Sequence, residues 1–374
     1  MKYLALVAAV CLLMVPSVAL AQQISPHPNP YGNTITVDTA GYYNSHFQFE
    51  NFGTIEIESG GSLGNREGTI YNSHYGGIRV GVGGTLNNSG RIVNYMTGTL
   101  FNSGVVNNNN SITIQADDDW RDNIVTNVGV VNNNGIIDIY QNGVLENQGG
   151  GVLINNQFLW NRQEGFVYNT NNATLINNYE FSNQGSFRNG TTSTFENNGE
   201  FDNTNGTFTN YGTFTGDGTF VGTLDSEGVL APGNSAGVMT FTADLRKTAG
   251  STEIELGGLF DGGGDKSLTE YDWIDVSGDV VLGGTLDVML IDTFSLSSDM
   301  SFDFLRVAGT LSGQYDGLGE GDLVGNFGGQ DLFITYAGGD GNDVALFTNA
   351  VPEPTTMLIW SMLAGLGMTV RRRR

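Results

Sequence analysis

The residue types that could do chemistry are few and scattered. The three histidines, His27, His46 and His74, have no i,i+4 or similar spacing, and none lies near a cysteine. Each is interpreted as a surface residue rather than as a metal ligand. No Gly-x-Ser-x-Gly elbow or phosphate-binding loop stands in a strand–turn–helix context. The sequence therefore predicts no catalytic residue, no cofactor and no enzymatic activity.

The densest acidic group is the run 117–122, Asp-Asp-Asp-Trp-Arg-Asp. It could form a calcium site, or a sugar platform on which Trp120 stacks. We favour a solvated insertion, since charge runs usually face solvent. Gly338 to Asp343 matches part of a calcium-binding nonapeptide, but single copies cannot complete the oxygen shell, so a tight turn between two strands is predicted. A calcium ion is the one cofactor left open.

Threonines recur on predicted outward positions near the end of the repeats. They are Thr207, Thr209, Thr213, Thr215 and Thr219. Rows of this kind on a flat solenoid can order water and bind ice, but threonine is also an ordinary residue of a strand surface. Ice binding is therefore kept only as a minor alternative.

Composition narrows the function classes further. The chain has 374 residues, 55 glycines, 14% charged residues and a formal net charge of −24. Nucleic acid is excluded as a partner because phosphate contacts require Lys and Arg. Dense Gly and Asn without heptad spacing exclude helix bundles. What remains is an acidic all-β protein, whose field attracts divalent cations.

An internal repeat dominates the centre of the sequence. Apolar residues recur every six to eight positions, and any three consecutive spacings add up to 19 to 22 residues. Short strands joined by tight corners, three to a turn, predict a right-handed parallel β-helix over residues 50–224. Leu175, Phe195 and Phe214 should then stack, and so should Phe181, Phe201 and Phe220.

Within the repeat, Phe-x-Asn units such as 181–183, 187–189, 195–197 and 201–203 share one pattern. Residues two apart in a strand face the same side, so the Asn would point inward beside the Phe. Stacked inward amides could form a hydrogen-bonded ladder at a corner. Alternatively, the Asn residues occupy exposed left-handed turn positions. Both interpretations remain open at this stage.

The repeat is flanked by two different segments. Residues 22–49 are proline-rich with little repetition and are predicted to cap the first coil. Residues 225–350 contain Pro-Gly-Asn-Ser-Ala-Gly (232–237), Asp-Trp-Ile-Asp-Val-Ser-Gly (272–278) and Gly-Gly-Thr-Leu-Asp-Val (283–288). This stretch resembles the end of autotransporter-type passenger solenoids. The resemblance implies a β-rich C-terminal folding cap. The sequence is expected to depart from true autotransporters in lacking the outer-membrane barrel, for which there is no room after Val351, so another export route is predicted.

Residues 1–21 have the layout of a secretory signal peptide. Lys2 precedes an apolar core, and Ala19-Leu20-Ala21 predicts cleavage after Ala21. Export through the Sec translocon follows from this. The single cysteine, Cys11, lies in the apolar core, so the mature chain should contain no disulfide.

The last segment, residues 351–374, contains Pro352-Glu353-Pro354, an uncharged stretch of 16 residues and four arginines, Arg371, Arg372, Arg373 and Arg374. The uncharged stretch predicts one hydrophobic transmembrane helix, and the arginines should stay on the cytoplasmic side. The pattern resembles the PEP-CTERM sorting signal of Gram-negative bacteria. The resemblance implies a transient inner-membrane anchor, recognition by an exosortase, and release to the cell surface or matrix.

Together these observations predict a non-enzymatic structural or adhesive protein of the extracellular polysaccharide matrix. Exopolysaccharide or cell-surface glycans would be its partners. The main alternative is a carbohydrate-active enzyme, a lyase or glycosidase, built on the same β-helix. Such an enzyme would place acids and a base on neighbouring coils in one groove.

Overall fold

A computed structural model describes residues 21–116 and 123–349. Residues 1–20, 117–122 and 350–374 lie outside the described residues. The predicted transmembrane helix and all but the last residue of the predicted signal peptide therefore lie outside them too. Within the described residues, no helix is both long and apolar enough to cross a bilayer.

The described residues fold almost entirely as short β-strands, with one 3-10 helix at Lys266–Leu268. The first strands are β1 (Gln22–Gln23), β2 (Thr34–Val37), β3 (Tyr42–Asn44), β4 (Gln48–Asn51), β5 (Thr54–Ile57), β6 (Ser62–Asn65), β7 (Thr69–Asn72), β8 (Gly77–Val80), β9 (Thr85–Asn88), β10 (Arg91–Tyr95), β11 (Thr99–Asn102), β12 (Val105–Asn108), β13 (Ser111–Gln115) and β14 (Ile124–Asn127). The next are β15 (Val130–Asn133), β16 (Ile136–Tyr140), β17 (Val144–Asn147), β18 (Val152–Asn155), β19 (Phe158–Asn161), β20 (Phe166–Asn169), β21 (Thr174–Asn177), β22 (Glu180–Asn183), β23 (Ser186–Asn189), β24 (Thr194–Asn197), β25 (Glu200–Asp202), β26 (Thr207–Asn210), β27 (Thr213–Gly216) and β28 (Thr219–Val221). The last are β29 (Leu224–Ser226), β30 (Val229–Pro232), β31 (Val238–Phe241), β32 (Leu245–Lys247), β33 (Ser251–Asp261), β34 (Thr269–Tyr271), β35 (Trp273–Val276), β36 (Val280–Leu282), β37 (Thr285–Leu290), β38 (Ser301–Val307), β39 (Leu311–Gly313), β40 (Leu323–Phe327), β41 (Gln330–Gly338) and β42 (Asp343–Phe347).

Through the repeats, every third strand pairs in parallel with its predecessor, which confirms a parallel β-solenoid with three strands per turn. Sheet A contains β3, β6, β9 and their successors to β33. Sheet B contains β4, β7, β10 and their successors, and sheet C contains β2, β5, β8 and their successors. The strands of 22–49 and several strands after 224 join these same sheets. The predicted segment limits therefore mark changes of sequence pattern within continuous sheets.

The predicted phenylalanine columns are confirmed. Leu175, Phe195 and Phe214 are register partners in sheet A, and Phe181, Phe201 and Phe220 are register partners in sheet B. All six side chains are fully buried. The rings of Phe195 and Phe214 stack with centroids 5.1 Å apart. Each turn thus buries one apolar side chain per sheet against the turns above and below it.

The Asn residues that end the strands point inward, so the ladder interpretation is correct and the exposed-turn alternative is wrong. Wherever the equivalent position of the following turn also holds an Asn, the buried Nδ2 donates to the Oδ1 of that Asn, at 2.6–2.9 Å. There are three such ladders, one per sheet. They contain Asn44, Asn65, Asn88, Asn108, Asn133, Asn155, Asn177 and Asn197 in sheet A; Asn29, Asn51, Asn72, Asn94, Asn161, Asn183 and Asn203 in sheet B; and Asn102, Asn127, Asn147, Asn169, Asn189 and Asn210 in sheet C.

Most ladder amides also donate their second proton to a backbone carbonyl of the following turn, as Asn72 does to Thr99 at 2.6 Å. The ladder amides that form both bonds are thereby satisfied without water, which removes the usual cost of burying them. The sheet C ladder ends near 224: Asn210 donates to the Ser226 hydroxyl, and Lys247 takes the next position in the column.

The sheet B ladder has one interruption. Ile114 and Ile139 occupy the ladder position in two successive turns, between Asn94 and Asn161. The Nδ2 of Asn94 and the Oδ1 of Asn161 are accordingly buried without a hydrogen-bond partner among the described residues. These are the donor and the acceptor that an uninterrupted ladder would join. In the sequence, residues 117–122, which lie outside the described residues, follow shortly after Ile114.

The C-terminal end is closed by antiparallel strands. β42 pairs with β38 and β41, and β41 pairs with β40. Their inward residues, including Phe302, Ile334 and Leu346, are fully buried. These strands extend sheet B beyond β38, so that β42 occupies the edge of β38 that would otherwise be free to pair with another chain.

Candidate functional site

A chemically diverse surface lies on the outer face of sheet B. Strands β16, β19 and β22 alternate inward apolar or amide residues with outward residues. The register aligns Asp138 with Trp160 and Trp160 with Ser182. Three successive turns therefore present neighbouring outward side chains. We call this surface the Trp160 face, and it comprises Ile136, Asp138, Tyr140, Phe158, Trp160, Arg162, Glu180, Ser182 and Gln184.

The indole of Trp160 is held on several sides. Its Nε1 donates to Glu180 Oε1 at 3.2 Å, and the Arg162 guanidinium lies over the ring, 5.0 Å from its centroid. The Phe158 ring lies 5.4 Å away and in turn contacts Tyr179 edge-on. Trp160 is half-buried, so one part of the ring surface stays open to solvent in a fixed orientation.

Arg162 also forms a two-point ion pair across turns. Its Nε donates to Asp138 Oδ1 at 2.6 Å, and its Nη2 donates to Asp138 Oδ2 at 3.2 Å. The hydrogen bond to Asp138 raises the pKa of Arg162. Burial, and then the charge of Asp138, raise the pKa of the neighbouring Tyr140 phenol. The carboxylate is thus engaged in positioning Arg162 beside the indole.

A shallow cavity of about 250 Å³ opens beside the indole and is lined by Trp160, Asn161, Arg162, Ser182 and Gln184. In the described parts of the chain, no hydrogen bond is formed by the Ser182 hydroxyl or the Gln184 side-chain amide. An aromatic platform beside a guanidinium, a hydroxyl and an amide can stack on the apolar face of a sugar ring and hydrogen-bond its hydroxyls.

Sequence reasoning missed the Trp160 face because its members are about 22 residues apart in the chain. The usable signal was the coil length: stepping by 22 from Asp138 reaches Trp160 and then Ser182. Basic residues that look scattered in the sequence, Arg162 among them, are brought beside acids by the stacking of turns.

The sequence-predicted sorting residues are not tested by the structure. Ala19, Pro352, Glu353, Pro354 and the four terminal arginines lie outside the described residues, and so does the run 117–122. Ala21 is the first described residue and is exposed. The predicted signal-peptide cleavage and sorting signal therefore stay predictions.

The structure brings two of the histidines together. The rings of His27 and His46 stack with centroids 4.3 Å apart, and both contact Phe49. Partial burial, and then the neighbouring His27, lower the pKa of His46. His74 is exposed in another loop. Across 21–116 and 123–349, no group of three or more His, Cys, Asp or Glu residues is arranged to hold a metal ion.

The structure also shows where the Gly338–Asp343 motif and the threonine rows lie. Residues 338–343 form the turn between β41 and β42, as predicted, with Gly341 N–H donating to the Gly338 carbonyl at 2.7 Å.

The threonine pairs of β26 and β27 lie on different sheets, and Thr219 lies on the third. Their in-register neighbours include Arg188 and Glu196. The threonines therefore do not share one flat face of the kind that ice binding requires.

The Pro-Gly-Asn-Ser-Ala-Gly loop, 232–237, is tied to the body of the solenoid. Asp272, which is almost fully buried, accepts hydrogen bonds from the backbone N–H groups of Gly237 at 2.8 Å and Glu255 at 2.9 Å. Burial raises the pKa of Asp272 to about 8, although the two backbone donors act in the opposite direction. This carboxyl connects the loop to β33 and is a structural group.

Comparisons with known proteins place few limits on this chain. No protein-family model matches it, and no curated protein matches it significantly. Among solved structures, it is similar to the TibC-catalysed hyper-glycosylated fragment of TibA, residues 55–350. The identity is 14%, the match covers 78% of this chain and 98% of that fragment, and the TM-score is 0.25. A TM-score of this size reflects a weak overall superposition.

Proposed function

We propose that this protein is a secreted, non-enzymatic rod of the extracellular polysaccharide matrix that contacts polysaccharide through the Trp160 face. The observation that carries the proposal is the fixed, partly open indole of Trp160 beside Arg162, Glu180, Ser182 and Gln184 on one outward face. Stacking and side-chain hydrogen bonds are the means by which a preformed protein surface recognises sugars.

The shaft suits a mechanical role. Buried amide ladders in all three sheets and stacked apolar side chains join successive turns over most of the repeats, so a load along the axis is shared by many short hydrogen bonds. The formal net charge of −24 attracts divalent cations, which could bridge the rod to acidic polymers. A right-handed winding is part of this proposal, because right-handed crossovers predominate between parallel strands.

Delivery to the surface is proposed from the two ends of the sequence. The Sec translocon would export the chain, the terminal helix would hold it briefly in the inner membrane of a Gram-negative cell, and an exosortase would release it near Pro352-Glu353-Pro354. Mass spectrometry of the secreted form tests this directly. We expect a C-terminus without Arg371–Arg374, and retention of all four arginines would contradict exosortase processing.

Binding to the matrix is tested by co-sedimentation of the purified body with exopolysaccharide from its host. Trp160→Ala should weaken binding at least about tenfold, because the stacking surface is lost. Tyr211→Ala is the matched control: Tyr211 is also partly exposed and lies beside an arginine, Arg188. Equal binding by wild type, the Trp160 variant and the control would refute a role for the Trp160 face.

A second candidate, cleavage of a polysaccharide, is favoured by one observation. Asp138, Arg162 and Glu180 project from three successive turns, so two carboxylates and a guanidinium share one face. The ion pair with Asp138 and the hydrogen bond to Trp160 engage these groups structurally, which is why binding is preferred. Turnover of uronic-acid polymers by wild type, lost in Glu180→Gln, would establish the enzyme instead.

A further inference from the structure

A separate cleft opens near the N-terminal end of the rod, away from the Trp160 face. It is a shallow, open cleft with a volume of about 630 Å³. The lining is almost entirely aromatic and proline: Pro28, Pro30, Tyr31, Phe52, His74 and Tyr75. None of these side chains carries an acidic or a guanidinium or ammonium group.

The loop that forms one wall adopts a strained backbone. His74 and Tyr75 have φ values of 52° and 73°, in the left-handed region that aromatic residues rarely occupy. The Tyr75 N–H donates to the Thr97 hydroxyl at 2.9 Å, and Gly76 N–H donates to the Ser73 carbonyl at 2.9 Å. The strain buries little in return, since 74% of Tyr75 is exposed. The corresponding corners before β17 and β20 also place non-glycine residues, Gln141, Asn142 and Glu164, at positive φ. The conformation therefore belongs to this corner of the solenoid, and the loop at 74–75 differs in presenting exposed aromatic side chains from it.

The opposite wall presents a second exposed tyrosine. Tyr31 is 77% exposed, and its ring lies 6.3 Å from that of Tyr75 at an interplanar angle of 70°. Phe52 and His74 form a further tilted pair behind them, with centroids 5.9 Å apart. Two near-perpendicular tyrosine rings thus form a corner, so that a ligand stacked on one ring meets the edge of the other.

The backbone around the cleft offers little to a peptide. Pro28 and Pro30 have no N–H, and the N–H groups of Asn33, Phe52 and Tyr75 already donate to Pro30, Asn29 and Thr97. An extended peptide relies on such main-chain donors. A second copy of the chain is also a poor fit, because a stable interface uses 20–30 residues a side and this cleft has six.

We propose that the cleft between Tyr31 and Tyr75 binds a neutral glycan. The apolar C–H face of a hexose would stack on one tyrosine ring, while its hydroxyls bond the phenol hydroxyls and the outer imidazole nitrogen of His74. An uncharged lining on a strongly acidic chain matches an uncharged sugar and disfavours uronic-acid polymers. The cleft is a second site with its own ligand class, so this proposal goes beyond the one made for the Trp160 face.

The test separates recognition from folding. Linear β-glucan and mannan hexasaccharides are titrated into the purified body by calorimetry. In Tyr75→Asn, the asparagine tolerates the left-handed backbone, so the melting temperature should stay equal or rise while affinity falls at least about tenfold. Tyr31→Ala, at an exposed position with ordinary backbone, should also lose at least tenfold. Tyr211→Asn is the control and should bind like wild type.

Several results would overturn the proposal. These are no binding of either hexasaccharide by wild type, unchanged affinity in both cleft variants, or preferential binding of a polyproline decapeptide. Concentration-dependent dimers that Tyr75→Asn abolishes would overturn it too. Trp160→Ala distinguishes the two proposals, because it should leave hexasaccharide affinity unchanged while weakening co-sedimentation with the matrix polymer. Either proposal can therefore be refuted while the other stands.

Discussion

Replacing one buried ladder amide should cost far more stability than replacing its surface neighbour. Asn155 Nδ2 donates to Asn177 Oδ1 at 2.7 Å and to the Glu180 carbonyl at 2.9 Å, and its Oδ1 accepts from Asn133 at 2.7 Å. Asn155→Ala removes one hydrogen-bond partner from each of these buried groups, while Asn133 Nδ2 keeps its bond to the Phe158 carbonyl at 2.9 Å. At about 1–3 kcal/mol for each such group, partly offset by local relaxation, we expect a loss of roughly 2–5 kcal/mol.

Asn155→Asp should be worse than alanine at neutral pH. A carboxylate cannot donate, so its oxygen would face the Asn177 oxygen, and the buried charge would raise the folded-state pKa of the new acid. Stability would therefore be highest below the unfolded pKa of about 4 and would be lost as the pH rises toward the folded value. Lowering the pH from 7 to 4 should recover part of the loss.

The adjacent Asn156 provides a matched control. Its amide belongs to an exposed row, donating to Asn134 and accepting from Asn178, each at 2.9 Å. Asn156→Ala and Asn156→Asp should each stay within about 0.5 kcal/mol of wild type. Denaturant midpoints at pH 7 and pH 4, with hydrogen exchange of the turns around β18, measure the effect. Asn155 variants as stable as the Asn156 variants would refute the stabilising role of the ladder.

Three further perturbations follow from buried polar groups. Burial raises the pKa of Asp272 to about 8, so its contribution to stability is full below pH 4 and falls as the pH rises to 8. In Asp272→Asn the denaturation midpoint should therefore depend less steeply on pH between 4 and 8. A pH dependence equal to that of the wild type would contradict this. Burial lowers the pKa of Lys247 to about 8, so Lys247→Met should raise the free energy of unfolding at pH 7 by roughly 2–3 kcal/mol. The gain should vanish near pH 10.5. A variant less stable than the wild type at pH 7, in the same titration, would contradict the prediction. The double variant Ile114→Asn with Ile139→Asn should reconnect the sheet B ladder. In a double-mutant cycle it should be about 1–3 kcal/mol more stable than the summed effects of the two single variants predict. Additive effects would argue against repair of the ladder.

Much of the scaffold could be predicted from the sequence because its physics is local and repeated. The two-residue step from Phe201 to Asn203 makes both side chains face inward in any strand, and a spacing near 20 residues makes equivalent strands stack. What pattern alone left open was whether the amides find partners. An amide finds a partner only if the next turn places an Asn oxygen within 3 Å of its nitrogen. That distance is known only once the backbones of the two turns have been positioned.

The candidate sites could not be predicted, because they depend on variable coil lengths. Equivalent ladder residues are 20 residues apart from Asn169 to Asn189 but 25 apart from Asn102 to Asn127. An uncertainty of a few residues reverses which side chains face outward or shifts them between columns. The left-handed backbone of Tyr75 and the amine of Lys247 at a ladder position likewise have no signature in the repeat.

The buried ladders all run in one sense, and this gives every turn two unlike sides. The side toward the C-terminus offers amide hydrogens, and the side toward the N-terminus offers amide oxygens. If the shaft opened between two turns, the exposed surfaces would be complementary rather than identical. Such a break can reclose on itself, or exchange halves with another chain broken at the same place, whereas two like surfaces would set hydrogen against hydrogen or oxygen against oxygen.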